Sequence, residues 1–209
     1  MGKALKIVAI LVVVLVLVVA GGAAAIVMLV DPNDYRDEIE TAVRHRLAVV
    51  YLEVVRNTPL LIQIFFIYFV LGPVLGLDRF PAAVLALSLF EGAYASEIIR
   101  AGILAVPVGQ SEAAASLGLN RYHNYRLIIL PQALRRILPP LAGQFISLIK
   151  DSSLLGIIAI RELTKAAREV VSASLQPFEV YFLAAILYLV LTFTLSMAVQ
   201  KLEKRMANQ

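Results

Sequence analysis

Lys150 and Asp151 stand side by side inside an apolar stretch, Ile137 to Ile160, and Glu91 interrupts another, Phe80 to Val106. An ionisable group at bilayer depth costs on the order of several kcal/mol, so it faces a partner or a cavity. A zwitterionic solute needs a cation for its carboxylate and an acceptor for its ammonium. Lys150 has the chemistry of the first; Asp151 and Glu91 have that of the second. Gln144, Ser147, Ser152 and Ser153 could add hydrogen bonds. Glu91, Gln144, Lys150, Asp151 and Ser152 are therefore the candidate substrate pathway. Helical neighbours project about 100° apart, so Lys150 and Asp151 cannot both face one point. One would face the cavity and the other a subunit interface. A structural ion pair, or a lysine reaching out to the membrane surface, would use the same residue types. Glu97 and Arg100, three apart, share a helix face and should form an ion pair.

Other chemistries lack their residues. The 209-residue chain has no cysteine, which excludes disulfides, thiol catalysis and Cys-based metal sites. His45 and His123 are isolated, and neither H-E-x-x-H nor G-x-S-x-G occurs. No catalytic residue and no metal ligand set is predicted, and the chain is not expected to be an enzyme. No G-x-x-x-x-G-K-[ST] loop is present, so any driving ATP, with its Mg, must sit on another polypeptide. Nineteen basic against fifteen acidic residues give +4, a balance that speaks to topology and implies no nucleic-acid partner.

These charges need spans to hold them. Hydrophobic residues make up 60% of the chain and charged ones 16%, against about 45–50% and about 25% in soluble domains. A bilayer core takes about 20 apolar residues in helix. Ile7 to Val30 is uncharged and exceeds a signal-peptide core, so it reads as an uncleaved anchor. Leu60 to Leu77, Phe80 to Val106, Ile137 to Ile160 and Val180 to Gln200 follow. The expectation is an all-α, polytopic membrane protein of about five spans. Arg121, Arg126, Arg135 and Arg136 crowd Leu119 to Arg136 without an acid, and Lys201, Lys204 and Arg205 follow the last span. Both segments should be cytoplasmic, and Arg44, Arg46 and Arg56 fit a third cytoplasmic segment. Arg161 to Phe178 should then form a short external amphipathic helix. Pro59 suits a first helical turn that Thr58 could cap.

The most specific pattern lies in the loop between the third and fourth spans. Glu112-Ala113-Ala114 is followed after three residues by Gly118 and, after nine more, by Ile128, Leu130 and Pro131. Ser111 could cap a helix with Glu112 in its first turn. The alanines give a strong helix former of little bulk. Gly118 can take the left-handed conformation that ends a helix. Asn120 can cap a second helix, which Pro131 limits or kinks.

This pattern resembles the EAA loop of bacterial ABC importer permeases at every signature position. Three further segments are similar to the polar amino-acid uptake branch of that family: Tyr51-Leu-Glu-Val-Val-Arg56-Asn-Thr-Pro59-Leu-Leu-Ile-Gln63, Gly92-Ala-Tyr94-Ala-Ser-Glu97-Ile-Ile-Arg100-Ala-Gly102, and Pro131-Gln-Ala133. The resemblance covers about residues 42–209. It implies a permease subunit in the bacterial inner (cytoplasmic) membrane whose loop docks in a cleft of a cytoplasmic ABC ATPase. It also implies a second permease subunit, identical or related, a periplasmic or extracellular solute-binding protein, and a polar amino acid as substrate. Glu112, Ala113, Ala114, Gly118, Ile128, Leu130 and Pro131 would be the coupling residues. A non-transporting anchor and an ion-coupled secondary transporter are the competing readings.

The first 46 residues depart from the family. Asp31 to Glu40 carries five acids and one Arg, as an external loop would, yet the chain must be inside by Arg56, and no apolar segment returns it. The Val/Leu-rich run with Asp31-Pro-Asn-Asp34-Tyr35 resembles the N-terminal anchor of AsmA-type envelope proteins. The expected organisation is an anchor and acidic linker over 1–46 and a permease domain over 47–209, joined as a chimera near residues 41–47.

Overall fold

The structure, a computed structural model, describes residues 48–207. The first apolar run, the acidic linker and the anchor resemblance lie outside the described residues. Within them the chain is helical, without a strand. In order come α1 (Ala48–Arg56) and α2 (Leu60–Leu75), α3 (Arg79–Leu104) and α4 (Val108–Ser116). Then follow α5 (Arg121–Ile158), α6 (Leu163–Ser174) and α7 (Pro177–Ala207).

α3, α5 and α7 are each long and apolar enough to cross a bilayer, and α1 and α2 qualify only as a pair bent by 110°. At about 1.5 Å per residue α2 reaches about 24 Å, short of a roughly 30 Å hydrocarbon core. The expected rod over Leu60 to Leu77 is therefore half of an angled pair. Its elbow is tied by side chains. Thr58 does not cap α2; its Oγ1 donates back to the Val54 carbonyl at 2.7 Å. Gln63 Nε2 reaches over the break to the Val55 carbonyl at 2.7 Å and to Thr58 Oγ1 at 2.9 Å. Pro59 occupies the N-cap position and not the first turn.

α3 and α5 form the spine. Ala82, Ala83, Ala86, Ala93 and Ala95 of α3 are buried, and such small residues let membrane helices approach closely. The contacts run antiparallel along the whole pair. A side chain at Gly102 would collide with Ile137, Glu91 meets Gln144, and Arg79 reaches the Ala159 carbonyl. Leu60, Ile64 and Ile67 of α2 complete this core with Leu148, Leu155 and Ile158.

Two expectations for α5 change. The basic stretch Leu119 to Arg136 is helix from Arg121 onward, so the helix that holds the fourth span begins well before Ile137. Pro131 does not end the helix. A π turn, Tyr125–Ile129, precedes it, and Pro131 falls at the start of the α-helical segment Leu130–Asp151, where its missing N–H is tolerated. At the far end the α-helix gives way at Ser152 to a 3₁₀ segment that closes at Ala159 with φ 63°. Lys150 and Asp151 thus end the α-helix instead of interrupting it. Lys150 lies in its last turn, where a cation suits the helix dipole.

The helix expected within Arg161 to Phe178 is α6. Glu162 caps it, accepting from the Thr164 and Lys165 amides at 2.6 Å each, and Tyr188 of α7 donates to the same carboxylate at 3.2 Å.

Candidate functional site

The loop between α3 and α5 is built around α4. Pro107 is its N-cap, so Ser111 sits inside the helix and Glu112 falls beyond the first turn, in correction of the capping expected for Ser111. The other end follows the sequence reading. Gly118 has φ +75°, its amide bonds to the Ala115 carbonyl at 2.9 Å, and the Leu119 amide bonds to that of Ala114 at 3.1 Å. These paired bonds are a Schellman stop, which requires a left-handed residue at Gly118. Asn120 then caps α5, its Oδ1 accepting from the His123 amide at 2.9 Å.

Ala114 is 2% exposed, and α4 packs against the π turn that holds Ile128. Ile128 and Leu130 are half-buried, while Pro131 is exposed. Glu112, Ala113 and Gly118 lie open on the outer surface. Val108 and Leu117 are 73% and 81% exposed. A small helix flanked by uncovered apolar side chains has the anatomy of a docking surface: a compact anchor that another protein can approach closely. Sequence reasoning passed over Val108 and Leu117. The signal available was a large apolar residue beside a predicted turn glycine.

The second constellation lies midway along α3. Glu91 is 1% exposed. One carboxylate oxygen accepts from Gln144 Nε2 at 2.9 Å, and the other has no partner. No cation pairs with it among the described residues. Asp151 is seven residues beyond Gln144, so it shares that face of α5 about 10 Å further along the helix. Lys150 is exposed and turned away; it forms no ion pair with Asp151 among the described residues. Ser152 spends its hydroxyl on the Ile149 carbonyl at 2.7 Å. The fold thus joins Glu91 to Gln144, aligns Asp151 with them, and leaves Lys150 and Ser152 outside the contact. A cleft of about 590 Å³ opens elsewhere, between Tyr68, Phe69, Pro73 and Asp78 to Phe80.

Glu97 and Arg100 form the expected pair through two bonds, at 2.5 and 3.0 Å. Arg56 joins them, 3.9 Å from Glu97 and stacked over Tyr94. Tyr51 donates to the Leu89 carbonyl at 2.5 Å. These contacts hold α1 against the middle and C-terminal part of α3.

Known proteins are similar to this chain in sequence and in structure. Residues 42–208 match the family described as binding-protein-dependent transport system inner membrane component. The glutamine transport system permease protein GlnP of Escherichia coli K12 is 41% identical over 167 residues, covering 78% of this chain and 76% of that protein. The L-cystine transport system permease protein TcyB of Bacillus subtilis 168 is 46% identical over 160 residues, covering 75% and 68%. The crystal structure of an amino acid ABC transporter with histidines superposes with a TM-score of 0.74 at 34% identity over 97% of both chains. The inward-facing MetNI methionine ABC transporter, at 17% identity and a TM-score of 0.68, shares the fold. The apolar helices and these matches describe a multi-pass membrane transport subunit and not an enzyme. The chain belongs to the family of binding-protein-dependent transport system inner membrane components.

Proposed function

We propose that this chain is the permease subunit of an ATP-driven importer of polar amino acids in a bacterial inner membrane. It pairs with a second permease copy or a close relative. An external binding protein delivers the substrate, and two cytoplasmic ATPases supply ATP and Mg. The α4 surface of Glu112, Ala113, Val108 and Leu117 carries the reading, because it is an uncovered, small-faced helix at the cytoplasmic end of the spine. ATPase closure pushes α4, and α3 and α5 carry the motion to mid-membrane. There Glu91, Gln144 and Asp151 offer acceptors to the substrate's ammonium group. Lys150 and Ser152 line the outer approach, with Lys150 available to the carboxylate.

Reconstitution with the ATPase and the binding protein tests this. Labelled polar amino acids should accumulate in proteoliposomes only with ATP. Uptake that survives ATP removal while a proton gradient persists would instead mark an ion-coupled secondary transporter. Insertion without any uptake would mark a non-transporting anchor or a defective chimera. Residues 1–46 are proposed as a separate anchor and acidic linker. A reporter fused at residue 40 should then be active only outside the inner membrane, and activity inside would refute that orientation.

A further inference from the structure

A nine-residue helix such as α4 is marginally stable alone. If it takes the ATPase stroke, it must be braced, or it will yield instead of transmitting. Two polar ties from α5 brace it, and a third holds the end of α3 just before it. Asn124 Nδ2 donates to Ser111 Oγ at 2.6 Å. Gln132 Nε2 donates to Gln110 Oε1 at 3.2 Å and is itself fixed on the Ile128 carbonyl at 3.0 Å. Arg136 donates to the carbonyl of Ala105, the C-cap of α3. The Asn124 amide keeps its tie to Ser111 although its buried Oδ1 is left without a partner. Position by position, 111–124, 110–132 and 105–136 run antiparallel and continue into Gly102–Ile137 and Glu91–Gln144. One seam of paired residues therefore links α4 to the mid-span carboxylate.

We infer that Ser111 and Asn124, assisted by Gln110, Gln132 and Arg136, are positioning residues that fix α4 to α5, so that the two move as one body during transport. The inference rests on the proposed role of α4 as receiver of the ATPase stroke. These residues touch neither substrate nor nucleotide; they act through the helix they hold.

The test uses the complete transporter in proteoliposomes. Ser111→Ala and Asn124→Ala should each lower the amount of substrate moved per ATP hydrolysed about five- to tenfold, while the ATPase still co-purifies. The double variant should be no worse than either single one, because both remove the same tie. Ser111→Thr, which keeps the hydroxyl, should restore the ratio. The chain lacks cysteine, so Ser111→Cys with Asn124→Cys can be joined by a short thiol cross-linker. Uptake should survive this lock. An unchanged ratio in the alanine variants, or uptake abolished by the lock, would overturn the inference. If the alanine variants fail to assemble, the lock decides alone. Absence of ATP-driven uptake in the unaltered transporter would count against the proposed function, a separate result.

Discussion

Replacing Gly118 with valine should cut ATP-driven uptake about tenfold or more while leaving membrane insertion intact. Gly118 holds φ +75° between the last turn of α4 and the cap of α5. The left-handed conformation costs an L-residue about 1–2 kcal/mol, and a β-branched one is worse placed still. Space is not the obstacle, since a Cβ there would meet nothing within 4 Å; the strain is purely in the backbone. A chain relieved of it would lose the paired Ala114 and Ala115 bonds and turn α4 away from its docking angle. About 1.4 kcal/mol against the docked geometry lowers the ratio of docked to undocked states about tenfold. Gly118→Asn, which tolerates the same region, should lose far less. The measurement is uptake at limiting and at excess ATPase, with excess restoring part of the valine variant's activity. Full coupling in Gly118→Val at limiting ATPase would show that the turn does not set the docking geometry.

The second large effect concerns Glu91. Glu91→Leu alone should lower thermal stability by about 1–3 kcal/mol, because it strands the Gln144 amide in a half-buried seam. Glu91→Leu combined with Gln144→Leu should recover most of that loss. Replacing both members of a buried polar pair by apolar groups is often neutral or stabilising, and the unpartnered carboxylate oxygen goes as well. Uptake should behave differently. If the carboxylate serves the substrate, both variants fall at least about tenfold, a loss of about 1.4 kcal/mol or more. Thermal unfolding in detergent beside uptake in proteoliposomes separates the two quantities. Uptake that returns together with stability in the double variant would make Glu91 and Gln144 a structural pin.

The chain's own letters settled its class through bulk physics. Uncharged runs of bilayer length have few stable homes outside a membrane. The left-handed stop at Gly118 and the cap at Asn120 were legible too, because both are local: few residue types suit those backbone conformations. The Glu97–Arg100 pair was likewise visible from helical spacing alone.

Only the tertiary structure decided which distant residues meet. Glu91 and Gln144 are 53 positions apart, and no periodicity predicts that α3 and α5 lie in the register that joins them. The sequence read Lys150 and Asp151 as an interruption of a span, facing different ways; folding ended the α-helix there. Proline's missing amide hydrogen pointed to a limit or a kink at Pro131; the helix runs on, with a π turn just before it that places Pro131 where that hydrogen is not required. The second span became an elbow in which Gln63 bonds over the break to Val55 and Thr58, while Arg56 pairs with Glu97 of α3. Short-range rules of backbone conformation and burial act within one helical turn, whereas packing register is a property of two surfaces together.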